Sequence, residues 1–186
     1  MHIIVMGVAG CGKSTVGRSL SDRFGLPFAE ADDFHPTANR QKMESGQPLD
    51  DADRDPWLDA LAAWLAARRR AGGSSVMACS ALRRRYRDRL RLDTSDAFFL
   101  HLRGDYSEFA RRMAARDHFM PPELLASQFA TLEELHPDEA GLTVDASWPV
   151  AEVVRCVARR LRGQRDVEVS PPGVLGTDGP RRRGDG

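Results

Sequence analysis

Gly7, Gly12, Lys13 and Ser14 stand in the spacing G-x-x-x-x-G-K-[ST] within GVAGCGKST, directly behind the apolar run Ile3–Ile4–Val5–Met6. A strand before and a helix after such a loop mark it as a phosphate cradle. Gly7, Gly10 and Gly12 let successive backbone N–H groups converge on one anion, and the following helix adds its N-terminal partial charge. In that arrangement Lys13 reaches the β- and γ-phosphates of ATP and the Ser14 hydroxyl ligates Mg²⁺. Cys11 and Thr15 complete the nucleotide-binding run, with Cys11 expected near solvent as a small tolerated side chain.

A phosphate cradle serves kinases, switches and mechanical ATPases alike. No N/T-K-x-D guanine reader occurs, which argues against a GTPase switch. The run Ser75–Val76–Met77–Ala78–Cys79 ends in Ser80, where a mechanical ATPase would place an acidic residue. Both points favour a small-molecule kinase with an acceptor pocket over a signalling relay. A nucleotide-binding regulator that has lost transfer is disfavoured by intact Lys13, Ser14 and Asp32.

Three stretches carry polar residues that such a pocket needs. In EADDFHPTANRQKM, Glu30 and Asp32 lie two apart at a strand end and so share a side, toward the carboxyl edge where ligands of open α/β sheets bind. One suits the Mg²⁺ water shell, and the other the proton of an attacking hydroxyl. His35, Asn39 and Lys42 form one helical face, either acceptor-lining or solvated. In PLDDADRDPW, Arg54 stands among Asp50, Asp51, Asp53 and Asp55. It reads as part of a surface ion-pair loop or as a bidentate clamp for a carboxylate. In CSALRRRYRDRLR, Ser80 closes a strand, and Arg83, nearest that end, is expected to face the pocket. Arg87 stands one turn on from Arg83 on the same face, and the triple arginine 83–85 otherwise reads as a solvated helix surface.

The elements that must position these residues alternate along the chain. Strands are expected over 2–6, 27–30, 75–79, 97–102 and 142–144. Helices are expected over 13–24, 36–43, 56–70, 82–92, 107–116, 122–134 and 150–161. Asp55-Pro56 reads as an N-cap followed by proline at the first helical position. This βαβα order calls for an α/β fold with a central parallel sheet flanked by helices. Residues 1–162 form one domain, and the Gly-, Pro- and charge-rich residues 163–186 read as a disordered tail.

Composition excludes several partners. Among 186 residues, 27 basic side chains balance 27 acidic ones, so net charge suggests neither nucleic acid nor a membrane surface. Only two of the basic residues are lysines, Lys13 and Lys42, which makes each stand out. No apolar run approaches the roughly 20 residues of a membrane span, and no signal-peptide pattern is visible. Cys11, Cys79 and Cys156 are odd in number and widely spaced, which fits a reduced, cytoplasmic setting.

The segments MGVAGCGKST, DDFHPTANRQKMESGQPLDDADRDPWL, CSALRRRYRDRLR, LRGD and HFMPPELLASQFATLEEL occur in this order from residue 6 to about 135. Together they closely resemble the gluconokinases, which belong to the shikimate-kinase-like group of phosphate-loop kinases. The resemblance implies a three-layer phosphate-loop kinase fold with a small lid, and ATP-dependent phosphorylation of D-gluconate at its terminal hydroxyl. It places Lys13 and Ser14 at the phosphate and Mg²⁺ positions and Asp32 opposite the acceptor hydroxyl. It implies that His35, Lys42, Arg54 and Arg83 hold the polyol and its carboxylate, that Arg112 and Arg116 are lid arginines, and that the enzyme is a homodimer. The HP…N…KM segment argues against shikimate as acceptor. The family's A-R-x-G-H-F pattern reads Ala115-Arg116-Asp117-His118-Phe119 here, without the lid glycine.

Overall fold

The computed structural model describes residues 1–92, 96–115 and 123–168. Strands β1 (His2–Met6), β2 (Phe28–Glu30), β3 (Ser75–Ala78), β4 (Ala97–Arg103) and β5 (Gly141–Asp145) form one parallel sheet in the order β2-β3-β1-β4-β5. Central β1 sets His2 against Ser75 of β3 on one side and Ala97 of β4 on the other. The helices are α1 (Lys13–Phe24), α2 (Thr37–Glu44), α3 (Asp51–Arg70), α4 (Arg84–Arg91), α5 (Tyr106–Ala114), α6 (Glu123–Thr131) and α7 (Val150–Glu168).

Every residue of β1 is buried, as an apolar strand covered on both faces should be. Successive side chains alternate between the faces. Ile3 and Val5 pack in one cluster with Val16 and Leu20 of α1 and Val153, Val157 and Leu161 of α7. Ile4 and Met6 pack on the other side with Leu58, Leu61 and Leu65 of α3 and Tyr86 and Leu90 of α4. The expected three-layer sandwich is therefore present. The strand order departs from β1 in both directions, and the phosphate loop leaves β1 at that crevice, where open α/β sheets bind their ligands. Among the described residues no helix is long and apolar enough to cross a membrane.

Several boundaries differ from the sequence expectation. α3 starts at Asp51, not at Pro56, because Asp50 and Asp53 form a reciprocal capping box: each carboxylate accepts the other's backbone N–H, at 2.9 and 2.8 Å. Such a box satisfies two of the orphan donors at a helix start. It outweighs Pro56, which sits in the second turn and has no N–H to give. Beyond β2 the chain makes a 3₁₀ turn over Ala31–Phe34. α6 stops at Thr131, short of the expected 134, and α7 runs through Gly163 to Glu168, into the stretch expected as a tail. Residues 169–186 lie outside the described residues.

Candidate active site

Left-handed backbone at two loop positions explains two of the phosphate-loop glycines. Gly12 caps α1 at φ 100°, and Gly10 has φ 77°, with a Cβ there only 2.8 Å from the Phe109 carbonyl oxygen. The loop is held by its own side chains and by α6. Lys13 Nζ donates to the Val8 carbonyl at 2.9 Å, and the Ala9 N–H donates to Gln128 Oε1 at 2.7 Å. Cys11 is 2% exposed, and burial pushes its thiol pKa up. It packs under Gly7 and is not the solvent-facing thiol expected from its place in the loop.

A cleft of about 140 Å³ opens beside this loop. Gly10, Gly12, Lys13, Ser14 and Thr15 line its nucleotide end. Glu30, Asp32, His35, Arg54, Trp57 and Ser80 line the cleft too, so four of the six residues expected around an acceptor, Asp32, His35, Arg54 and Ser80, meet there. Glu30 and Asp32 reach the cleft from the strand end and the 3₁₀ turn. Ser14 Oγ donates to Glu30 Oε2 at 3.1 Å, and Arg18 pairs with the other Glu30 oxygen at 3.1 Å. His35 is buried and stacks on Trp57, whose indole N–H is held by the Ala31 carbonyl at 2.7 Å.

The His35 tautomer follows from its neighbour. Asn39 Nδ2 lies 2.7 Å from the Asp53 carbonyl oxygen, which only accepts, so the amide nitrogen faces both it and His35 Nδ1, 3.4 Å away. Nδ1 is thus the acceptor, and the proton of the neutral ring sits on Nε2. Burial, with Arg54 and Arg40 nearby and opposed by Asp32, lowers the His35 pKa to about 4. The ring is a neutral N–H donor at physiological pH.

Arg54 forms no ion pair among the described residues, although four aspartates surround it in sequence. Asp50 and Asp53 cap α3, and Asp51 accepts from the Tyr86 hydroxyl at 2.5 Å and pairs with Arg83 at 3.2 Å and with Arg85. The Arg54 guanidinium makes only long contacts, 3.4 Å to the Asp50 carbonyl and to the Tyr86 hydroxyl, and lies 5.7 Å above the Tyr86 ring. Its guanidinium is thus not engaged by a carboxylate among the described residues. The ion-pair-loop reading fails for this residue.

Other expected site residues stand elsewhere. Lys42 does not line the cleft; its ammonium pairs with Asp53 at 2.5 Å and Asp50 at 3.6 Å, which locks α2 to the first turn of α3. Arg83 precedes α4 and faces Asp51, outside the lining. Arg112 bonds Glu108 at 2.9 Å and the Ala146 carbonyl at 3.2 Å, bracing the turn after β5. Gly7 lies behind the lining, with its N–H on the Ser80 carbonyl at 3.3 Å. Arg116 and the expected lid from 117 lie outside the described residues up to 122.

Sequence reasoning missed Gln128, Tyr86, Asp51 and Arg87. Arg87 was expected only to share a helix face with Arg83, yet it is fully buried and makes a bidentate pair with buried Glu139 at 2.7 and 2.8 Å. The apolar spacing of Tyr86 and Leu90 was the available signal that α4 turns this side inward.

Residues 3–120 match the family model described as an AAA domain. Shikimate kinase from Aquifex aeolicus superposes with a TM-score of 0.64 at 19% identity, over 89% of this chain and 98% of that one, which shows a shared fold. This fold, with its cradle and its adjoining polar cleft, defines a phosphate-loop small-molecule kinase. The gluconokinase of Gluconobacter oxydans strain 621H is 48% identical over 143 residues, 76% of this chain and 80% of that one. A gluconokinase structure from Sinorhizobium meliloti 1021 superposes with a TM-score of 0.80 at 42% identity, covering 90% of this chain and 95% of that chain. The chain belongs to the gluconokinase family.

Proposed function

We propose that this chain transfers the γ-phosphoryl group of ATP to the terminal hydroxyl of D-gluconate, releasing 6-phosphogluconate and ADP. The observation that carries the reading is that the Arg54 guanidinium, without an ion-pair partner among the described residues, lines the same cleft as Lys13 and Asp32. A polyol with a carboxylate at one end and a hydroxyl at the other matches that layout. The 48% identical gluconokinase supports the same acceptor.

Phosphoryl transfer runs through a loose transition state, so positioning and electrostatics dominate. The phosphate-loop N–H groups and Lys13 hold the β- and γ-phosphates, with Ser14 and Thr15 at the start of α1. Asp32 orients the attacking hydroxyl and accepts its proton, a role typically worth about 10²–10⁴ in rate. His35 donates its Nε2 proton to an acceptor oxygen, Ser80 adds a hydroxyl from the end of β3, and Arg54 takes the carboxylate. Arg83, held by Asp51, frames Arg54 through Tyr86. Arg112 and Arg116 serve as lid arginines, as the family pattern implies.

Ser14 and Glu30, 3.1 Å apart beside Asp32, form an oxygen donor set suited to Mg²⁺, which is usually held by one or two carboxylates with waters and phosphates. Bound there, Mg²⁺ neutralises charge on the phosphates. The three free cysteines support a cytoplasmic setting, and the family resemblance supports a homodimer.

The test is product identity. With D-gluconate and Mg·ATP, ³¹P NMR should show one new phosphomonoester coupled to the C6 protons. A signal from inorganic phosphate alone would overturn the assignment.

A further inference from the structure

Arg87 uses every N–H it has. Nε and Nη2 bind the Glu139 carboxylate, Nη1 donates to the carbonyls of Ala81, Leu82 and Glu133 at 3.1, 3.3 and 3.0 Å, and Nη2 also reaches the Glu134 carbonyl at 3.2 Å. Both members of the ion pair are 0% exposed. A buried ion pair is a poor source of stability, since well-packed apolar residues often do as well. It is a good way to hold several backbone segments in one arrangement, because any other arrangement leaves a buried charge or carbonyl unsatisfied.

The two segments it holds both lead to residues that line the cleft. One is the loop after β3, where Ala81 has the left-handed φ of 42° and its carbonyl is turned onto Arg87. Such a conformation is unfavourable for a residue with a Cβ. In this loop Ser80 lines the cleft, and its carbonyl accepts the Gly7 N–H of the phosphate loop. The other is the stretch after α6, stitched to the first by the Glu133 N–H on the Leu82 carbonyl at 2.8 Å and by the Glu133 carboxylate on the Arg84 N–H at 2.7 Å. α6 carries Leu124, Ser127 and Gln128 to the cleft, and Gln128 accepts the Ala9 N–H of the phosphate loop. Two arms thus leave Arg87 and both end on the phosphate loop, one at Gly7 and one at Ala9.

We propose that Arg87 is a positioning residue that sets the Ser80 loop and α6 as one body, so that gluconate and nucleotide bind cooperatively. The inference rests on reading the Ser80 side of the cleft as the gluconate site. Arg87→Lys keeps the charge on Glu139 and loses the planar fork that reaches four carbonyls.

The experiment measures kcat, the gluconate KM, and the affinity for a non-hydrolysable ATP analogue with and without gluconate, on variants shown to be folded by circular dichroism and gel filtration. Arg87→Lys should raise the gluconate KM about tenfold or more, as small misplacements do. The factor by which gluconate tightens analogue binding should fall to near one, while analogue affinity without gluconate stays near wild type. Glu139→Gln should move both quantities the same way by a smaller factor, and it carries the test alone if Arg87→Lys does not fold. Wild-type KM and wild-type synergy in a folded variant would overturn the proposal. Failure of both variants to fold would overturn it too, since that is the behaviour of a purely structural strut. Absence of gluconate turnover by the unmodified enzyme would instead refute the acceptor assignment.

Discussion

The His35 imidazole lies flat on the Trp57 indole, with ring centroids 4.5 Å apart and planes 11° from parallel. Burial there lowers its pKa from 6.5 to about 4, and burial also lowers those of His2 and His101. An unfolded chain takes up a proton on such a histidine near pH 6.5. The folded state refuses it, so stability falls as pH drops through that value, and for His35 it goes on falling to about 4. Within this window His35 should contribute a slope of about 1.4 kcal/mol per pH unit. Urea midpoints at pH 7 and pH 5 check this, and His35→Gln should flatten the difference.

Arg54, which has no ion-pair partner among the described residues, is the proposed holder of the acceptor's carboxylate. Hydrogen bonds to charged groups contribute about 1.5–3 kcal/mol each. Arg54→Ala should therefore raise the gluconate KM by about 10- to 150-fold, because each 1.4 kcal/mol is a factor of ten. The Kd of ATP should stay within twofold or so. An unchanged KM would remove Arg54 from the carboxylate site.

Lys42 is braced by Asp53 and Asp50 and does not enter the cleft. The pair is half-buried and still reached by solvent, which screens it. Lys42→Met should therefore cost little stability and raise the gluconate KM by no more than about fivefold, through a looser Arg54 turn. A hundredfold rise would mean direct contact with the acceptor in a closed state.

Asp32 lines the same cleft as Lys13 and Ser14 of the phosphate loop, and the proposed reaction uses it as the base. Asp32→Asn should lower kcat by about 10²–10⁴ and leave the gluconate KM nearly unchanged. Steady-state kinetics with saturating Mg·ATP decide the matter, and an unchanged kcat would remove Asp32 as the base.

How much of this was legible in the sequence depended on how local the deciding contact is. The phosphate loop, β1 and α1 are contiguous, and their pattern carries its own context. Glu30, Asp32, His35 and Arg54 all line the cleft, Glu30 and Asp32 because short-range geometry brings them to the end of β2, and Arg54 from the first turn of α3. The start of α3 was missed because four aspartates around Arg54 read as a charged loop, whereas two of them form a capping box. The pairing of Lys42 was not legible because its partner Asp53 lies 11 residues on, across a turn. The burial of Arg87 was missed because its partner Glu139 is 52 residues away, and only the apolar spacing of Tyr86 and Leu90 hints that this side of α4 faces inward.

The most direct measurement is ADP release from Mg·ATP in a coupled assay, with D-gluconate compared against shikimate, other aldonic acids and glucose. The site described here predicts strong turnover with gluconate, little with glucose, which lacks the carboxylate, and little with shikimate. Equal rates with glucose, or no gluconate turnover despite tight ATP binding, would contradict it.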